Sequence, residues 1–165
     1  MSIQYAMMDH AKQFPNPKAR PKFIIWGGRK ITTAVQIPVA ADGIVRGEFL
    51  KSDATVRQGF DLKVDEGWIE FSGSEHVCLL RTWRDDSLPD TIEYPYHSRG
   101  ASIWVWNVYE RPYPNGGIVE EKWTNNAGFW VETLNASERI YHCSHGMSAM
   151  PDFESLVFKV SVRSR

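Results

Sequence analysis

Seven tryptophans occur in this chain of 165 residues, and five of them fall between Trp83 and Trp130. Tyr94, Tyr96, Tyr109 and Tyr113 share that stretch. An indole or phenol ring joins a wide apolar body to a polar tip, so it suits a core and a wet binding surface equally. A quaternary ammonium docks on the face of such a ring by cation–π attraction, and the apolar side of a sugar stacks on it.

The second chemical signal is a hairpin pattern. Segments 117–123 and 128–134 flank Thr124-Asn125-Asn126-Ala127. Side chains alternate with period two, so Trp130 and Glu132 share a face. In one register Glu121 and Trp123 join them. In the other, Glu120 stands opposite Glu132, and Lys122 opposite Trp130. A carboxylate beside a tryptophan suits a sugar or a cation. Two facing carboxylates repel, which raises one pKa and equips the pair for acid–base work. The ligand-binding candidates are Trp130, Glu132 and Trp123, joined from the preceding segment by Trp104, Trp106, Tyr96 and His97. No residue is assigned a catalytic role.

The third signal is Tyr141-His142-Cys143-Ser144-His145-Gly146. Its histidines and cysteine are ligand types that zinc accepts, and His97 would be a third histidine from afar. No second spaced ligand pair accompanies them. Cys–His chemistry needs contact in space, which adjacency in sequence does not ensure. This run reads as a loop, with no metal and no cofactor expected. A GxSxG elbow, a Gly-rich phosphate loop, HExxH and an EF-hand loop are all absent from the sequence.

Composition narrows the field. The net charge is −1, with 19 basic and 20 acidic residues. Duplex binding usually shows a basic surplus, so no nucleic-acid partner is expected. No apolar run is long enough to cross a bilayer. Met1 to His10 lack the basic-then-apolar order of a leader. The expectation is a soluble cytoplasmic protein with Cys78 and Cys143 as free thiols, leaderless export staying open. The expected partner is a small molecule or glycan. Peripheral membrane contact and a homodimer through residues 1–21 remain open alternatives.

These groups must be positioned by strands. Ile31, Thr33, Val35, Ile37 and Val39 alternate with smaller or polar residues. So do Val56, Gln58, Phe60, Leu62 and Val64, and later Phe158, Val160 and Val162. Further strands read at 23–26, 43–50, 67–72, 75–83, 101–110, 117–124 and 128–134. Turn signals such as Asp42-Gly43 and Asn115-Gly116-Gly117 recur about every ten residues. The expected fold is all-β: an antiparallel sandwich or closed barrel of about 9–11 strands. Residues 1–21 form an N-terminal arm, a short helix leading into a Pro-rich linker, and 22–165 form one β domain. The segment 101–110 is apolar on both faces, with Trp104, Trp106 and Val108 on one side. It reads as a central strand or one facing a ligand.

The leading functional expectation is a non-enzymatic β domain binding a carbohydrate or a cationic or zwitterionic headgroup. The alternative is a small barrel or jelly-roll hydrolase or isomerase. It would use Glu132 with Glu120 or Glu121, or the histidines. A concave pocket at Trp104 or Trp106 with a buried carboxylate would favour the enzyme, and a flat aromatic patch the binder.

Overall fold

The computed structural model describes residues 1–53, 55–85 and 89–165. One helix, α1 (Ile3–Gln13), precedes fourteen strands: β1 (Ile24–Trp26), β2 (Arg29–Ile31), β3 (Val35–Pro38), β4 (Asp42–Ser52), β5 (Gln58–Val64), β6 (Gly67–Ser72), β7 (Glu75–Val77), β8 (Leu79–Trp83), β9 (Thr91–Ser98), β10 (Ser102–Pro112), β11 (Ile118–Glu121), β12 (Gly128–Thr133), β13 (Glu138–Ser144) and β14 (Leu156–Arg163). Every pairing among them is antiparallel.

The strands form a sandwich, not a barrel. One sheet runs β11-β10-β5-β8, with β3 sharing an edge of β10. The other runs β12-β13-β14-β4-β9-β6-β7. β1 and β2 form a separate ribbon. Alternation explains the layers, because one row of each strand is apolar and must leave water. Ile103, Val105, Phe60, Leu62 and Leu80 of the smaller sheet meet Val45, Phe49, Tyr141, Phe158 and Val160 of the larger, all buried in one cluster. Aromatic rings run through its middle. Phe60 stacks on Phe158 with centroids 4.5 Å apart, and Phe158 on Tyr141 at 4.8 Å.

The expected strand at Ile31–Val39 is two strands, broken at Thr32–Ala34. Thr32 leaves the alternation to exchange backbone hydrogen bonds with Phe129, at 3.0 and 2.9 Å, which ties the ribbon to β12. The expected strand at 75–83 is also two, and they belong to different sheets.

The arm folds as a helix and docks. Ser2 caps α1 by accepting from the Tyr5 amide at 3.2 Å. Ile3 is fully buried with Ile24 and Ile31 in a second, smaller cluster. The Ile3 amide donates to Asn126 Oδ1 at 3.1 Å, and Gln4 and Asn125 exchange two further bonds at 2.8 and 2.9 Å.

Candidate functional site

The outer face of the smaller sheet brings together aromatic and charged side chains from several strands. Three rows cross it in register. Trp104, Lys63 and Leu79 form the first, Trp106, Asp61 and Arg81 the second, Val108, Gly59 and Trp83 the third. Side chains directly opposite one another on a sheet touch, so each row is a physical unit.

The middle row is a locked network. Asp61 is fully buried although it lies on the outward side. Its two oxygens accept from Arg81 Nε and Nη2, both at 2.8 Å, and Oδ2 also accepts from Trp106 Nε1 at 2.7 Å. The guanidinium is planar and forked, so it matches the carboxylate bidentately. Arg81 reaches Glu120 with its remaining arm at 2.6 Å. Hydrogen bonds to Asp61 lead the effects that raise the Arg81 pKa, so the guanidinium stays charged. A buried carboxylate demands such partners. Trp106 is only 4% exposed, so it fixes Asp61 and offers no ring to a ligand.

Around this centre the rings are half open. Trp123 is 42% exposed and meets Trp106 edge-on at 5.3 Å. Its φ of 62° is a left-handed conformation rare for a bulky residue, and it turns the chain back over Trp106. Lys122 Nζ lies 4.7 Å from the Trp106 ring and 4.5 Å from Trp123. Trp83 lies under Arg57 at 4.4 Å, with Arg81 at 5.9 Å. Arg57 in turn holds Asp85 at 2.8 Å and Glu110 at 2.7 Å. Trp104 stands between Gln36 of β3 and Lys63 of β5. None of the four principal clefts includes Trp104 or Trp106.

No family model, curated protein or solved structure matches this chain. The chemistry of the site therefore rests on its own geometry.

The other candidates are dispersed. β11 does not pair with β12. It adds to β10, while β12 pairs with β13 in the opposite sheet. The expected hairpin is thus absent, and so is the Glu120–Glu132 pair. The physical reason lies in the connection. Trp123 and Asn125 both have positive φ. Thr124 Oγ1 is tied to Tyr109 Oη and Glu121 Oε2, each at 2.6 Å, so the chain is redirected across the sandwich. Arg111 holds Glu121 at 2.6 Å and leads the effects that lower its pKa. Burial pushes the Tyr109 hydroxyl up to about 12. Near neutrality Glu121 therefore stays ionised and Tyr109 stays a neutral phenol, and both serve as anchors for the turn.

Tyr96 faces the core, 1% exposed, and donates to the Ala40 carbonyl at 3.0 Å. It is not on a ligand face, because Val45, directly across the pair from Tyr94, and Gly43 opposite Tyr96 set its row inward. His97 lies on the outer face of the larger sheet, 4.8 Å from Trp68 and 3.3 Å from Asp42.

Trp130 and Glu132 do share a face, and the chain itself covers the Trp130 part of it, while the Glu132 side chain stays 45% exposed. Trp130 stacks flat on His142, with centroids 3.9 Å apart and planes 3° from parallel. Arg29 of the ribbon covers it at 4.4 Å, and the ring packs against the cluster of Ile3, Ile24 and Ile31. Glu132 contacts His142 Nε2 at 3.0 Å. At Trp130 the row expected to meet solvent or ligand meets the N-terminal arm and the ribbon instead, because they have apolar residues to bury. Trp130→Ala is accordingly expected to lower unfolding free energy by about 1–3 kcal/mol, since a half-buried ring with two stacking partners is removed. Urea unfolding measures it, and a change below about 0.5 kcal/mol, the usual surface value, would show the stack to be unimportant.

The 141–146 run is strand for most of its length, not loop. Cys143 points inward, fully buried, and burial raises its thiol pKa. His142 points outward on the same strand, so the two cannot form a nucleophile–base pair. His145 is buried, which lowers its pKa, and its Nδ1 accepts from the Met147 amide at 3.1 Å. Among the described residues no three His, Cys, Asp or Glu side chains converge as a metal site requires.

Sequence reasoning missed Asp61, Arg81, Arg57 and Trp83. Asp61 and Arg57 lie on the polar row of the 56–64 pattern, which was the available signal. What made them a network was the pairing of β10 with β5, and one strand's pattern does not name its partner.

Proposed function

We propose that this is a non-enzymatic binding domain whose ligand is a carbohydrate, held on the outer face of the smaller sheet. The supporting observation is the set of half-open rings, Trp83, Trp104 and Trp123, around a charge network already satisfied from within. Such a network is rigid and leaves its edges free to hydrogen-bond a polyol. A headgroup cation is the weaker option. Trp83, Trp106 and Trp123 each carry a cation of this chain on the ring, and a second would be repelled. Trp104 has no such cation among the described residues. Lys63 and Gln36 flank it, a donor on one side and an amide on the other, as a stacked sugar ring would use. None of the four principal clefts among the described residues includes Trp104, Trp106 or Trp123, which supports stacking on an open face over catalysis in an enclosed one.

The test is tryptophan fluorescence titration and calorimetry against a panel of neutral oligosaccharides, with choline as the cationic comparison. Trp104→Ala is expected to weaken binding of any responding sugar by about tenfold or more, roughly 1.4 kcal/mol upward, with cooperative unfolding retained. Binding of choline alone, or sugar binding that survives Trp104→Ala and Trp123→Ala together, would refute the assignment.

A further inference from the structure

Residues 1–31 carry six lysines and arginines, Lys12, Lys18, Arg20, Lys22, Arg29 and Lys30, against one acid, Asp9. The whole chain has 19 basic and 20 acidic residues, so the remainder is acidic and the arm is a basic pole. A whole-chain charge near zero conceals this division.

The arm also exposes apolar surface. α1 turns Ile3, Ala6 and Met7 toward the small cluster. On its opposite side stand Tyr5, 64% exposed, and Met8, 49% exposed, with Lys12 one turn further on. A groove of about 410 Å³ runs between α1 and β1, with Met1, Phe14, Phe23 and Ile25 among its walls. Ile25 is 64% exposed. Lys30 lies directly across the ribbon from Ile25, its Nζ 4.6 Å from the Phe23 ring. Arg20 is fastened beside the groove, donating to the Phe14 carbonyl at 2.8 Å. Asp9 also lines the groove and sits 4.0 Å from Lys12.

An occupant of this surface has to be anionic, apolar and broad, because the helix stripe and the groove are two separate apolar areas. A nucleic acid offers charge without apolar matter. A bilayer bearing anionic lipids offers both and conforms to the relief of the protein. We infer that residues 1–31 are a docking surface for an anionic lipid bilayer. Tyr5, Met8, Phe14 and Ile25 enter the headgroup layer, and Lys12, Arg20, Lys22 and Lys30 meet its charge. Lys12, Lys22 and Lys30 are exposed, and Lys30 lies along the Phe23 ring, the combination of charge and apolar surface that basic side chains offer at membrane interfaces. This proposal does not rest on the sugar-binding face and stands or falls apart from it.

The experiment is co-sedimentation of the full chain with phosphatidylcholine vesicles, with and without phosphatidylglycerol, at low and high salt. Partition onto the anionic vesicles only, weakening as salt rises, is the outcome that supports the proposal. Lys22→Glu with Lys30→Glu should lower it by at least about fivefold for each cation removed, and Tyr5→Ser with Ile25→Ser should lower it with every charge unchanged. All four side chains are exposed, so thermal unfolding should stay near that of the parent protein. Should a variant fail to fold, the lipid and salt dependence of the parent protein decides alone. Equal partition onto both vesicle types overturns the proposal, as does binding indifferent to these substitutions. So does tighter retention on an RNA oligonucleotide than on vesicles, or a dimer in lipid-free solution that uses the arm.

Discussion

Asp61→Ala should destabilise the domain by about 3–5 kcal/mol, the range seen when one partner of a buried ion pair is removed. The side chain is fully buried and accepts three hydrogen bonds, two from Arg81 and one from Trp106. Its loss leaves the Trp106 indole N–H without its acceptor and Arg81 with Glu120 alone. A domain of this kind has about 5–15 kcal/mol of stability in total, so the effect is a large share of it. Asp61→Asn retains an acceptor for Trp106 and fits the same space, and it should fall between the parent protein and the alanine variant. Chemical denaturation followed by tryptophan emission measures both. A loss below about 1 kcal/mol for alanine would mean that the network is a surface ion pair of ordinary weakness. The half-open rings would then lack the rigid support the binding proposal gives them.

A comparable loss is anticipated in the aromatic stack of the core. Phe158→Ala removes a fully buried ring that touches Phe60 on one side and Tyr141 on the other. Burial and the cavity left behind together cost about 3–5 kcal/mol, and the two ring contacts add about 0.5–1.5 kcal/mol each. Tyr141→Phe is the informative companion. The Tyr141 hydroxyl is buried with no hydrogen-bond partner among the described residues. An unsatisfied hydroxyl pays its desolvation without return, so the phenylalanine variant should be as stable as the parent protein or more so, by up to about 1 kcal/mol. A clear loss in Tyr141→Phe would reveal a partner for that oxygen, such as an internal water.

How much of this was legible in the sequence differs by element. The alternations in 56–64 and 158–163 were plain, because each of those strands sets an apolar row toward the core and a largely polar row on its other side. β10 was recognisable as central from apolar residues on both faces, and Trp104 and Trp106 were placed together correctly. β9 and β13 escaped notice. β9 contains Pro95, normally a demotion for a strand. Its pairing with β6 stops at Tyr96, so no ladder bond is asked of the proline on that side. β13 spends its outward row on Glu138, Ile140 and His142, and mixed polarity there hid its period. The hairpin reading failed because neighbouring strands usually pair and the sequence between 121 and 128 resembled a turn. Left-handed φ at Trp123 and Asn125, set by contacts to Tyr109 and Trp106, is a tertiary outcome. Trp130 and Glu132 were assigned to one face rightly, but what covers that face is an arm that lies about a hundred residues earlier in the chain.

β14 sits between β13 and β4 in the middle of the larger sheet, and Phe158 pairs there with Phe49, roughly a hundred residues upstream. During synthesis, then, the central ladder of the sandwich waits for a late segment. Until residues 156–163 leave the ribosome, β4 has an open edge, and Phe60 and Tyr141 lack the ring they stack on. Contacts of such long range are slow to form, and an unpaired strand edge beside exposed aromatic side chains is prone to aggregate. A nascent chain halted before residue 156 should therefore bind chaperones and resist refolding, while the same chain released with β14 in place should fold cooperatively.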